Sequence, residues 1–139
     1  MKIKTSELTG AALDWAVAIA EGWTITSVPK DIDGNYAGEV LVPHGYSEEF
    51  KFTPRGEVPI NYFVSRRKWS SDWSQGGPLI EKYTIGLNLH WGEWGAWIRG
   101  TCYESNDPDA YAATPLIAAC RAIVAAKLGD EVDIPEDLL

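Results

Sequence analysis

Residues 114–129, TPLIAACRAIVAAKLG, form a helix whose two ends are both written into the sequence. Thr114 is a suitable N-cap, Pro115 stands at the first helical position where a missing N–H costs nothing, and Gly129 follows the last turn. Leu116, Cys120 and Ile123, with Ile117, Val124 and Leu128 alongside, give a broad apolar face, and Lys127 lays its aliphatic stem along the edge. Such a face has to be buried, and the rest of the chain indicates against what.

Near the start, TSELTGAALDWAVAIAEG reads as a second amphipathic helix. Leu8, Ala12, Trp15 and Ile19 recur on one side, Thr5 or Thr9 caps the beginning, and Gly22 is placed to end it. Glu7, Asp14 and Glu21, spaced by seven, form an acidic stripe expected to face water. From Trp23 the texture becomes β-branched and aromatic. WTITSV and EVLV are strand candidates on either side of the turn-forming DIDGNYAG. Pro43, Pro54 and Pro59 break residues 43–68 into loop with edge strands such as FKF and INYFV. Further on, EKYTIGLNLHW places Tyr83, Ile85, Leu87 and Leu89 on one face, and WGAWIRGTCY pairs back across WGEWG as an antiparallel hairpin at the centre of the sheet. ESNDPDAYAA reads as an exposed loop. The tail from about residue 130 is acidic and only partly ordered. Two helices flanking a mostly antiparallel sheet, without strand–helix alternation, predict an α+β fold in a single domain, 1–139.

The formal net charge is −8. Residues 1–69 hold eight basic and nine acidic side chains and residues 70–139 hold four and eleven, so the acidity belongs to the C-terminal half. A field of that sign repels phosphate backbones, and SRRKW (Arg66, Arg67, Lys68, Trp69) is the only basic run; direct nucleic-acid binding is not expected. No segment approaches the ~20 apolar residues of a transmembrane helix. Lys2 and Lys4 precede an apolar stretch, but Glu7 and Asp14 interrupt it, unlike a secretory signal, so a cytoplasmic location is expected. Cys102 and Cys120 have neither disulfide-scaffold nor zinc spacing and read as reduced thiols.

Catalytic patterns are missing. His44 and His90 stand in no metal-binding spacing, and no cofactor is expected. His44 with Ser47 lacks a nucleophile elbow, and GWTITS and QGGP lack the lysine of a phosphate loop. Asp72 and Glu81 are carboxylates whose separation is not readable from sequence.

The segment SSDWSQGGPLIE, 70–81, carries the best site candidates: Asp72, Trp73, Gln75, Gly76 and Gly77. One reading is structural. Ser71 and Asp72 turn the backbone, the glycines allow positive φ or close packing, Trp73 anchors the segment on the core, and Leu79 and Ile80 enter a strand. The other is a polar cup beside an indole, as in many small-ligand sites. Trp91, Trp94 and Trp97 offer a similar choice between filling a sheet face or contact and stacking a ligand.

ELTGAALDWAVAIAEG, SDWSQGGPLIE and TPLIAACRAIVAAKLGDEVDIP, in this order and at this chain length, resemble the small phage and prophage proteins of the NinX-like family. The resemblance implies a phage or prophage origin and expression in a bacterial cytoplasm, and it implies no activity. The expected function is a non-enzymatic accessory module binding a basic host or phage protein, with a DNA mimic as a special case. The alternative is a small-ligand or enzymatic site at 70–81.

Overall fold

The computed structural model describes residues 1–29, 36–43, 59–100 and 107–139. In chain order the elements are β1 (Lys2–Lys4), α1 (Gly10–Ala20), β2 (Thr24–Pro29), β3 (Tyr36–Val42), α2 (Trp73–Lys82), β4 (Gly86–His90), β5 (Glu93–Trp97), β6 (Ala110–Ala112), α3 (Pro115–Leu128) and β7 (Glu131–Asp133). The class is α+β, as the sequence predicts. Among the described residues the strands form three antiparallel sheets, β1–β7, β2–β3 and β4–β5–β6.

Helix α3 is the hub. Thr114 Oγ1 accepts from Ile117 N at 3.3 Å, and Gly129 takes φ 91° at the far end. Leu116, Ala118, Ala119, Cys120, Ala122, Ile123 and Val124 are all buried, wider than one stripe. The helix is covered by α1 on one side and by β5 and β6 on another, and its alanines let those neighbours approach closely. Helix α1 is similarly enclosed along Ala12–Ala18. The expected acidic stripe is therefore not a stripe. Glu7 sits exposed in a 3₁₀ turn before α1, Asp14 is 4% exposed, and Glu21 bonds to Lys82 and Tyr83.

The N-terminus departs further from expectation. The α-helix starts at Gly10 with Thr9 of the two expected residues at the N-cap position, although its side chain makes no cap bond, and Thr5 caps nothing: its hydroxyl donates to Gly129 O at 2.6 Å and its N–H to Asp130 O at 2.8 Å. These bonds continue the β1–β7 ladder, in which Lys2, Ile3 and Lys4 face Asp133, Val132 and Glu131. The acidic tail is thus built in, with Val132 and Ile134 buried. Three-residue strands carrying one apolar residue between charges have no readable period.

Residues 60–66 are turn and 3₁₀ helix, so INYFV is not an edge strand; Leu41 N still donates to Ile60 O at 3.0 Å. Strand β4 begins only at Gly86, because α2 runs to Lys82 and Thr84 reverses the chain at φ 50°. Leu87 packs against the core, whereas Leu89 is 61% exposed beyond it. The expected hairpin is present, and 110–112, read as loop, adds the third strand. FKF, the DIDGN turn, His44, Ser47 and Cys102 lie outside the described residues.

Candidate functional site

The segment 70–81 is a short turn at Ser70 and Ser71 that enters a helix, α2 from Trp73, rather than a strand. Asp72 is its N-cap: the carboxylate accepts from Ser74 N at 2.9 Å, Ser74 Oγ at 2.7 Å and Gln75 Nε2 at 3.2 Å. Those bonds, the Ser74 hydroxyl first, hold the Asp72 carboxyl below the usual range. Gln75 Oε1 accepts from Lys68 N at 3.1 Å, tying the cap to the preceding turn. Gly76 is where the helix meets the core, since a Cβ there would lie 2.3 Å from Trp69 O and 2.7 Å from Leu116 Cδ2. Gly77 has open space, and Pro78 sits inside the helix. Leu79 and Ile80 are helical, and Leu79 is buried. Trp73 is 55% exposed and does not anchor the segment on the core as expected. The five candidates thus lie at the N-cap and in the first turn and a half of α2, with Asp72 and Gln75 bonded to each other and to backbone.

Two groups that sequence reasoning missed stand close to this segment and to α3. Buried Asp14 accepts from Ser70 N at 3.0 Å, and desolvation pushes its carboxyl above the ordinary value against the pull of Ser70 and Lys68. Arg121 reaches from α3 to donate to Leu8 O at 2.9 Å and Tyr111 O at 2.8 Å. It lines an open cleft of about 500 Å³ with Lys4, and the carboxylates of Glu93, Asp109, Asp130 and Glu131 surround them. The only sequence signal for this cleft was the acidity of the C-terminal half.

The hairpin tip is the most exposed apolar feature among the described residues. Trp91 and Gly92 occupy the two central positions with φ 57° and 85°, the requirement of a type I′ turn. Trp91 is 93% exposed and Leu89 61%, while Trp94 is half-buried against the core and Trp97 is 4% exposed. Glu93, next to the tip, also lines the acidic cleft, and Tyr111, partly exposed on β6, lies on its wall.

Among the described residues no group of three or more His, Cys, Asp or Glu side chains is arranged to hold a metal ion. Cys120 is buried, and desolvation pushes its thiol up to about 12, the opposite of an activated nucleophile. No helix among the described residues is long and apolar enough to cross a membrane.

A family model described as Bacteriophage P22, NinX matches residues 4–127, from β1 through nearly all of α3. No curated protein matches the chain.

Proposed function

The chain belongs to the bacteriophage P22 NinX family, and from that premise we propose that it is a non-enzymatic module of the bacterial cytoplasm that binds a host or phage protein with a basic surface. Family membership makes it a phage accessory protein. The observation that carries the finer reading is Trp91. A left-handed backbone costs a residue other than glycine about 1–2 kcal/mol, and a type I′ turn favours Asn or Gly at that position. Trp91 nevertheless holds a large indole there, 93% exposed, beside Leu89 and next to the acidic cleft. Exposed aromatics of this kind supply the anchoring energy of protein interfaces, and acidic surroundings speed and select encounters with basic partners.

A small-ligand or enzymatic site at 70–81 has less to build on, because Asp72 and Gln75 already spend their polar atoms in the helix cap. Trp73 is retained from that segment as a second aromatic anchor. The test is affinity capture from phage-infected cells with wild type, Trp91→Asn and Trp73→Ala, each checked for folding. The reading expects a basic protein held by wild type, released by salt, and bound about tenfold or more weakly by Trp91→Asn. Retention of the same proteins by wild type and by folded Trp91→Asn would remove the hairpin tip as the site.

A further inference from the structure

On another face of α3 from Arg121 lies a second cleft of opposite sign. It has a volume of about 570 Å³ and is lined by Lys82, Tyr83, Thr84, Ile98, Arg99 and Lys127. Three cations gathered in a chain of net charge −8 need an account. Lys82 has one: its Nζ lies 2.8 Å from Glu21 Oε2, an oxygen that also accepts from Tyr83 OH at 2.8 Å. Lys127 has a partial one. It stands in the last turn of α3, where a cation offsets the helix dipole, and its Nζ lies 5.7 Å from the Tyr83 ring centroid. Lys82 approaches the same ring at 5.3 Å, so two ammonium groups stand against one aromatic ring.

The helix ends absorb only part of this charge. At the end of α2, Leu79 O, Glu81 O and Ile80 O already accept from the amides of Tyr83, Thr84 and Ile85. Glu21 offsets one cation and the two dipole ends together roughly another, which leaves about one full positive charge on the cleft. Arg99 contributes the part with no structural explanation. It holds φ 63° and ψ 32°, its N–H donates to Tyr83 O at 3.2 Å, and among the described residues no carboxylate lies within ion-pair distance of Arg99 or Lys127. Of the three non-glycine residues at positive φ among the described residues, Thr84 and Arg99 both line this cleft.

We propose that this cleft binds a phosphate group, free or as a small monoester. Arg99 and Lys127 are its charged contacts and the Thr84 hydroxyl is a further donor. An anion matches the residual positive charge of the cleft, and the guanidinium fork together with the ammonium and hydroxyl donors suits the several oxygens of a phosphate. The volume exceeds that of phosphate alone, and the Tyr83 ring and Ile98 offer an apolar wall for an organic group.

The experiment is an amide-resolved NMR titration with inorganic phosphate and with adenosine monophosphate, at ionic strength held constant with chloride. It compares wild type with Arg99→Gly, Lys127→Gln, their double variant, and Lys2→Gln as a control on a remote surface. Arg99→Gly removes the guanidinium while easing a backbone conformation that favours glycine, so folding is retained, as a melting curve verifies. The proposal expects saturable shifts at Thr84, Arg99 and Lys127, about tenfold weaker binding in each single variant, loss in the double variant, and no change in Lys2→Gln. Tighter binding of the monoester assigns the organic subsite, and equal affinities assign phosphate itself. No saturable binding to wild type, or wild-type binding by the folded double variant, overturns the proposal.

Discussion

Replacing Asp14 separates the two roles that a buried carboxylate can play. Its Oδ1 accepts the Ser70 amide at 3.0 Å in a site 4% exposed, and this bond holds the turn that leads into α2. Asp14→Ala leaves that buried N–H unpaired, which costs about 1–3 kcal/mol, or roughly 8 °C in melting temperature for a 2 kcal/mol loss in a chain of this size. Asp14→Asn keeps an acceptor oxygen and removes the charge, so its stability at pH 7 should lie within about 0.5 kcal/mol of wild type or above it. The pH dependence has a definite sign. Desolvation raises the folded pKa of Asp14 above its unfolded value, so its favourable contribution is complete below the unfolded value and is lost as pH rises through the folded one. Wild type should therefore gain stability relative to Asp14→Asn as pH falls from 7 towards 4. Asp72 and Asp133 have lowered pKa values, and their contributions fade only further down. Urea unfolding of the three proteins across this range is the assay. An Asp14→Ala variant as stable as wild type, or a difference from Asp14→Asn that moves the other way with pH, would refute the reasoning.

The paired glycines of α2 should behave differently. Gly76→Ala meets the Trp69 carbonyl and Leu116 and should lose about 1–3 kcal/mol or more, while Gly77→Ala has open space beyond its chain neighbours, and its helix-propensity gain is offset by the crowding of a Cβ against the Pro78 ring, so it should change stability by less than about 1 kcal/mol; thermal unfolding reads both. Cys120, its thiol pushed up to about 12 by burial, should resist a thiol reagent at pH 8 in the native protein and react only on unfolding. Trp91→Asn should raise the melting temperature by about 4 °C, since it relieves about 1 kcal/mol of left-handed strain at the hairpin turn. A lower melting temperature would mean that the indole stabilises the fold and that its exposure needs another explanation.

What could be read from the sequence was whatever local chemistry decides. Thr114, Pro115 and Gly129 mark α3 because capping depends on the residues themselves, and Gly92 marks the hairpin for the same reason. The α2 helix was also marked, by Asp72 at the cap and Gln75 three residues on, a variant of the capping box. The Gly-Gly-Pro that follows outweighed that signal on propensity alone, yet tertiary packing requires Gly76 there so that α2 can approach Trp69 and α3. Asp14 reads as surface in the sequence because its spacing matches Glu7 and Glu21; its partner Ser70 lies 56 residues away, and no local pattern encodes it. β1 and β7 join opposite ends of the chain through three residues each, beyond the reach of any periodicity. The exposed Trp73 and Trp91 were indistinguishable in sequence from the buried Trp69 and Trp97.

Hydroxyl-radical footprinting of the tryptophans, with the protein free and then held in an extract of phage-infected cells, tests the docking surface directly. Trp91 should oxidise fastest in the free protein, as its 93% exposure dictates, and should become protected in the extract, with Trp73 following if it is the second anchor. Added salt should remove the protection as it screens the acidic surface. Equal oxidation of Trp91 in both conditions would contradict the account.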